Sequence, residues 1–356
     1  MTAPSLERTT AVAAAFTAVA ERRAAGGYAP VYAAMAAACA TDPTALDLAA
    51  RASDGQNPPS LLLGAVQYLL ARHHQGHPLA RFYPVLTGQP APDPEADAPW
   101  PDLRAFLAEH RDQVAEIVAT RLVQTHEVGR CAYLYPALTA ARRHADAPLA
   151  AVEIGPSAGL TLVPDRYAYD YGTGSTVGAP DSPLVLASEL RGPHRPPIHD
   201  GGPEIVWRAG IDLNPLDLAD AEDRTWLRSL IWPDHPDRAS RLDAAFTAAR
   251  TGALPPIYRG TAAQHLPALL ERAPAEAVVC VYHTAVTAHF TPKARTEHAD
   301  LLRDLSKTRR ILWLCAEPGE DPRLRFTDLD GGHSRTEVVL GDYHPHGAWL
   351  DWHHPG

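Results

Sequence analysis

Cysteine is scarce. The four in 356 residues, Cys39, Cys131, Cys280 and Cys315, lie far apart with no C-x-x-C pair, so neither a zinc knuckle nor a disulfide framework is expected. That usage fits a reducing, cytoplasmic setting and a chain without a metal site. Basic charge is short as well: 32 Lys and Arg stand against 42 Asp and Glu, a net charge of −10, and the scattered cations argue against a nucleic-acid surface. No apolar run reaches the roughly 18–20 residues that a membrane-spanning helix needs. The start, MTAPSLERTTAVAAAFTAVAERR, mixes acid and base in its first eight residues and lacks the pattern of a signal peptide. Neither membrane nor nucleic acid is expected as a partner; a small molecule or another protein is. The 18 histidines fall largely in turns such as HPHG and DWHHPG, which read as solvated loops.

What is present divides the chain in two. Residues 5–85 read as helices: Ala-rich segments over 9–25 and 30–40, a break at Asp42-Pro43, then PPSLLLGAVQYLLARHH with helical apolar spacing. QPAPDPEADAPWP (89–101) is the clearest loop. DLRAFLAEHRDQVAEIVATRLVQ then reads as one helix, with Leu103, Phe106, Leu107, Val114 and Ile117 on a common face. From about 148 strand-length apolar runs alternate with helical stretches: LAAVEIG, SPLVLASE, EIVWRAGIDL, AVVCVYHT, RRILWLCAE and TEVVLGDY. The expectation is an α/β chain, with an all-α helical domain over 1–147 and a Rossmann-type, mostly parallel sheet domain over 148–356.

Ligands bind parallel sheets at the carboxyl ends of their strands, so the residues closing each run are the candidates: Glu153 with the loop Gly155 to Gly159, Glu189, Asp212 with Asn214, His283 with Thr284, and Glu317. In the loop, Gly155 permits a tight exit from the strand. Ser157 and Ala158 are small, and Gly159 lets a helix start close to the sheet, so that backbone N–H groups and the Ser157 hydroxyl can face an anion or a cofactor. The same residues also suit plain helix-on-strand packing. Upstream, Gln124-Thr125-His126-Glu127, flanked by Arg121 and Arg130, is a dense polar stretch that fits either a ligand or a hydrogen-bond network between domains.

TRLVQTHEVGRCA, VEIGPSAGLTLVPDRYAYDYG, SELRG, GIDLNPLDLAD and WLRSLIWPDHPDRASRLDAA together resemble an uncharacterised bacterial family of unknown function whose C-terminal half is similar to S-adenosylmethionine-dependent methyltransferases. The family also resembles the aziridine-forming enzymes of azinomycin-like antibiotic pathways, in which an amine displaces sulfate. The chain departs from the family pattern at His126 and Thr161, where asparagine is usual. It departs from methyltransferases at Ser157, in place of the central glycine, and no acid sits cleanly at a strand end at the ribose-holding distance of about 20 residues; Glu189 is the next plausible one. Pro164 shortens the post-loop helix, and Tyr167, Tyr169 and Tyr171 alternate as in a strand.

These features favour an anion held by Arg121, Gln124, Thr125, Arg130, Gly155, Ser157, Ala158, Gly159, Asp212, Asn214, Thr284 and Glu317, with His126, Glu127 or His283 as the base that deprotonates an amine. The expected reaction is displacement or elimination of a sulfate or phosphate ester, such as aziridine closure, without a cofactor, on a small substrate that a carrier protein could present. A methyltransferase that uses S-adenosylmethionine is the alternative, and a non-catalytic partner subunit the third reading. GPSAG also fits G-x-S-x-G literally, with Glu317 and His333 or His344 downstream, so a serine esterase stays open.

Overall fold

The computed structural model describes residues 4–24, 28–124, 126–199, 201–317 and 322–354; Thr125 lies outside them. Contacts divide the chain into two compact units, Met1–His126 with Asp217–Leu242, and Glu127–Leu216 with Asp243–Gly356. In chain order the helices are α1 (Leu6–Ala24), α2 (Pro30–Cys39), α3 (Pro43–Ala49), α4 (Pro58–His73), α5 (Pro84–Thr87), α6 (Trp100–Glu109), α7 (Arg111–Thr120), α8 (Cys131–Ala145), α9 (Ala221–Ser229), α10 (Pro236–Ala249), α11 (Ala262–Arg272) and α12 (Pro292–Leu305). The strands are β1 (Leu149–Ile154), β2 (Ala168–Asp170), β3 (Val177–Gly178), β4 (Val185–Ala187), β5 (Glu189–Arg191), β6 (Ile205–Asp212), β7 (Ile257–Arg259), β8 (Val278–Thr284), β9 (Ile311–Ala316), β10 (Arg323–Asp330), β11 (His333–Tyr343) and β12 (Trp349–Trp352).

The first unit is helical, and its caps are legible in the sequence. Asp42 accepts the Ala45 N–H at 2.9 Å to start α3, and Asn57 accepts that of Ser60 at 3.1 Å to start α4; each is followed by proline, whose missing N–H costs a first turn nothing. The stretch expected to form one helix from 102 onward is two, α6 and α7. They are separated at His110, which leaves helical geometry (φ −111°, ψ 25°) and stacks 4.0 Å from His74.

The second unit carries a sheet of order β5-β12-β11-β10-β9-β8-β1-β6-β7 and a small one of order β3-β2-β4. Strands β7, β6, β1, β8 and β9 are parallel neighbours; β9 to β12 then run as an antiparallel meander. All six residues of β1 are buried, which is why it reads as an unbroken apolar run. On one side of the sheet α8 packs Tyr133, Leu134 and Leu138 against Tyr282, Leu314 and Phe326. On the other side Leu266, Leu270 and Leu302 from α11 and α12 cover Val152, Val281 and Ile311. Each such side chain, fully buried, contributes about 1.5–3 kcal/mol.

The order of the five parallel strands, third-second-first-fourth-fifth, is that of a doubly wound Rossmann-type sheet. Its direction reverses between β1 and β8, and ligands of such sheets bind at that reversal. SPLVLASE is not one strand: β4 joins the small sheet, while Glu189 opens β5, the outermost strand of the large one. Glu189 therefore lies at the far end of the sheet from β1, ion-paired with Arg191.

Candidate functional site

Glu153, Asp212, His283 with Thr284, and Glu317 close four of the parallel strands or directly follow them, and so share one edge. The antiparallel meander brings the end of β11 and the turn His344-Pro345-His346-Gly347 to that same edge, because β11 runs parallel to β9. Two polar clusters result, one on each side of the sheet.

The cluster on the α8 side begins at Arg130, at the end of a short turn that Glu127 caps by accepting the Gly129 N–H at 3.0 Å. Arg130 Nη1 donates to the Thr284 carbonyl at 2.9 Å and to its hydroxyl at 3.2 Å, while Nε is buried without a hydrogen-bond partner. The Tyr343 hydroxyl is likewise buried and unpartnered, and burial pushes its pKa up against the opposing charge of Arg130. His346 Nδ1 lies 4.0 Å from the buried Glu127 carboxylate. Gly347 (φ +75°) is required there, since any side chain would run into the Gly129 carbonyl. The HPHG turn is therefore seated on the Glu127–Arg130 segment, not free in solvent as its composition suggested. The end-of-strand rule applied to TEVVLGDY would have found Tyr343 and the histidines after it.

Glu153, 2 % exposed, takes the Thr161 hydroxyl at 2.7 and 2.8 Å on its two oxygens. Burial raises its pKa to about 8, against the Thr161 and Tyr282 hydrogen bonds and the charge of Arg130. Thr161 thus holds a carboxyl that is largely protonated at neutral pH.

The glycine loop differs from the cradle expected of it. After Gly159 the chain makes two short 3-10 turns, Leu160–Leu162 and Pro164–Arg166, so no helix terminus faces a ligand. The Gly159 N–H donates to the Pro156 carbonyl and the Ser157 N–H to Asp212, both at 2.8 Å, which removes them as anion donors. Asp212 also accepts the Asn214 N–H at 2.8 Å, and burial raises its pKa. Gly155 (φ +74°) is covered by Val286: a Cβ there would lie 2.6 Å from Val286 Cγ2. The tyrosine ribbon holds the loop from behind, with the Tyr167 and Tyr169 hydroxyls donating to the carbonyls of Leu160 and Pro164.

One expectation is overturned by topology. Asp212, 55 residues beyond Ser157, ends the parallel strand next to β1; the segment carrying β2 to β5 is inserted between. The strand-end acid that seemed misplaced is at the expected place in the sheet. The serine-esterase pattern lacks its nucleophile–base hydrogen bond: neither His333 nor His344, which does lie at the same edge as Ser157, is bonded to the Ser157 hydroxyl. The Ser157 hydroxyl is buried without a hydrogen-bond partner, and His333 opens β11 at the opposite edge.

On the α12 side, the imidazole of His283, 1 % exposed, has Nδ1 2.6 Å from Glu317 Oε1. Its Nε2 receives the Trp313 indole N–H at 2.9 Å and lies 3.5 Å from Cys315 Sγ. An indole nitrogen can only donate, so Nε2 accepts and the ring is neutral, with its proton toward Glu317. Cys315 and Glu317 draw the His283 pKa up against burial; the Trp313 donor opposes them and sets the neutral form. Glu317 also accepts the N–H groups of Val286 and Thr287 at 2.9 and 3.0 Å. These donors, with His283, hold its carboxyl below the usual range despite burial. His283 and Glu317 therefore brace the turn after β8, where Ala285 is left-handed (φ +53°), as is Ser157 (φ +53°) across the sheet reversal. At 1 % exposure His283 is not reached by the amine of an external substrate; the reactive group beside its Nε2 is the Cys315 thiol, which shares that nitrogen with the Trp313 indole.

The remaining predicted residues fall in the helical unit. Arg121 is ion-paired with Asp223 at 2.8 Å and Glu222 at 3.6 Å, and the Trp226 indole N–H donates to the adjoining Leu122 carbonyl at 3.0 Å. Gln124 is half-buried and His126 buried. The contact boundary falls directly after His126. Among the described residues no group of three or more His, Cys, Asp or Glu is arranged to hold a metal ion, and no helix is long and apolar enough to cross a membrane.

Fold and edge together define a doubly wound α/β protein with two polar clusters at the strand-order reversal. The chain belongs to the family described as "Uncharacterized protein conserved in bacteria (DUF2332)", which matches residues 13–352. No curated protein and no solved structure matches it.

Proposed function

We propose that this chain is an enzyme of bacterial small-molecule metabolism that expels sulfate or phosphate while an amine of the same substrate takes its place, closing a small ring such as an aziridine. The observation that carries the reading is the pair of unengaged buried donors on the α8 side, Arg130 Nε–H and the Tyr343 hydroxyl. An unmet buried donor costs about 1–3 kcal/mol, and a tetrahedral oxyanion satisfies both. Arg130 suits it, being planar and permanently charged. His346, oriented by Glu127, takes the amine proton. The nitrogen lone pair forms the C–N bond as the C–O bond breaks, and its electrons depart on the ester oxygen toward Arg130.

A methyltransferase is the second reading, and Asp212 at the end of the second parallel strand favours it. Against it, Val286 lies over Gly155, and the N–H groups of Ser157 and Gly159 are engaged within the protein, so the loop does not fit S-adenosylmethionine. The test is incubation with 2-aminoethyl sulfate and with amino-sulfate analogues of increasing size, following free sulfate. Release that falls about 10²–10³-fold in Arg130→Lys is expected, in line with the loss of one charge-stabilising contact. No release from any of them, with micromolar binding of S-adenosylmethionine by calorimetry, would reverse the order of the two readings.

A further inference from the structure

The register of β8 and β9 sets His283 directly beside Cys315, and the two-residue pleat puts Trp313, Cys315 and Glu317 on one side of their strand. The result is a thiol, an imidazole 3.5 Å away, and a carboxylate 2.6 Å from the other ring nitrogen. Nucleophile, base and orienting acid in that sequence are the parts of an activated cysteine. Cys315 is partly exposed, whereas Cys39, Cys131 and Cys280 are buried; burial pushes the Cys280 thiol up to about 12, and such thiols are inert. The cluster faces α12, on the opposite side of the sheet from Arg130 and Tyr343, and takes no part in the displacement chemistry above.

We propose that Cys315 is a nucleophile toward activated acyl groups, esters or thioesters, with His283 as its base and Glu317 as the positioning residue. The Cys315 S–H proton passes to His283 Nε2 as sulfur forms a bond to the acyl carbon and the carbonyl π pair moves onto oxygen. That pair then returns and breaks the bond to the alkoxide or thiolate, which leaves with the proton from His283. The products are an acyl-thioester on Cys315 and a free alcohol or thiol, with no change of oxidation state. Trp313 competes with the thiol for Nε2. The ionisable groups on the same side as the pair are Glu317 and His298 on α12, whose ring lies 5.5 Å from that of His283 and whose pKa burial and His283 lower to about 4; Cys280 in β8 and Tyr343 in β11 act on Cys315 from the α8 side.

The full chain treated with p-nitrophenyl acetate, followed by nitrophenolate release and peptide mapping, tests this directly. Acetylation of Cys315 is expected, lost in Cys315→Ser, at a rate that levels off below the pH of about 8.5 at which an unassisted thiol titrates. Glu317→Gln should slow it at least tenfold. Trp313→Phe, which frees Nε2, should speed it several-fold, a change that a merely structural histidine would not produce. An unmodified Cys315 overturns the proposal. So does a rate that follows the ordinary thiol titration and is the same in Trp313→Phe and Glu317→Gln as in the wild type.

Discussion

Glu153→Gln should change how stability depends on pH. The carboxyl has an ordinary value of 4.5 and is raised by burial to about 8 in the folded chain, so the folded state binds its proton more tightly than the unfolded state does. Below pH 4.5 both states are protonated and the full stability is present. Between the two values only the unfolded chain releases the proton, and each pH unit costs about 1.4 kcal/mol. Above about 8 both are ionised and the loss levels off. The window corresponds to a ceiling of about 5 kcal/mol, and relaxation that admits water around the carboxylate would reduce it. Glutamine keeps the shape and accepts the Thr161 hydroxyl but does not titrate. Urea unfolding of wild type and Glu153→Gln at pH 5, 7 and 9, followed by tryptophan fluorescence, should show the variant gaining on the wild type by about 2–4 kcal/mol from pH 5 to pH 9. Taking the difference cancels every group that the two proteins share. Curves that stay parallel within about 0.5 kcal/mol would refute both the burial argument and a protonated Glu153 at neutral pH.

Gly155→Ala should destabilise by about 2–4 kcal/mol in thermal or urea unfolding, about 1–2 from its left-handed φ and the rest from crowding Val286. In Val286→Ala the same change should cost only the backbone part, and equal costs in the two backgrounds would mean that Val286 does not cover the loop. Asp328, buried and held by Arg310 at 3.0 and 2.9 Å and by His144 at 3.0 Å, has its pKa lowered by these partners against burial. Asp328→Asn should therefore cost about 2–3 kcal/mol near neutral pH, Arg310 being partly exposed. Because the folded value is depressed, that contribution is present above 3.8 and lost as pH falls below it, so wild type and variant should converge in acid. A constant gap down to pH 2 would contradict the pairing.

Much of the architecture was legible locally. A parallel strand buried on both faces is an uninterrupted apolar run, and such runs marked β1, β6, β8 and β9 together with the acids and histidine at their ends. Asp42-Pro43 and Asn57-Pro58 announced helix starts because a capping side chain and a proline act within one turn. The short strands β7 and β12, and β10 with charged residues at alternate positions, carried no comparable apolar run, since they are defined by the neighbour they pair with. Residues at the functional edge divide in the same way. Glu153, Asp212, Thr284 and Glu317 were visible as polar terminators. Cys315 stood two residues before Glu317 and shared its pleat, but nothing local pointed to its partner.

What the sequence determined by itself is the alternation of elements and the polar character of their carboxyl ends, because periodicity and capping operate over a few residues. Tertiary structure decided which ends meet. It set Asp212 beside the glycine loop across 55 residues of chain and His283 beside Cys315 across 32. It also folded the HPHG turn back onto Glu127. It engaged the Ser157 and Gly159 N–H groups inside the protein and left Arg130 Nε–H and the Tyr343 hydroxyl unengaged. Strand order and register carry that information, and both are fixed by packing between segments distant in the chain, which no local pattern encodes.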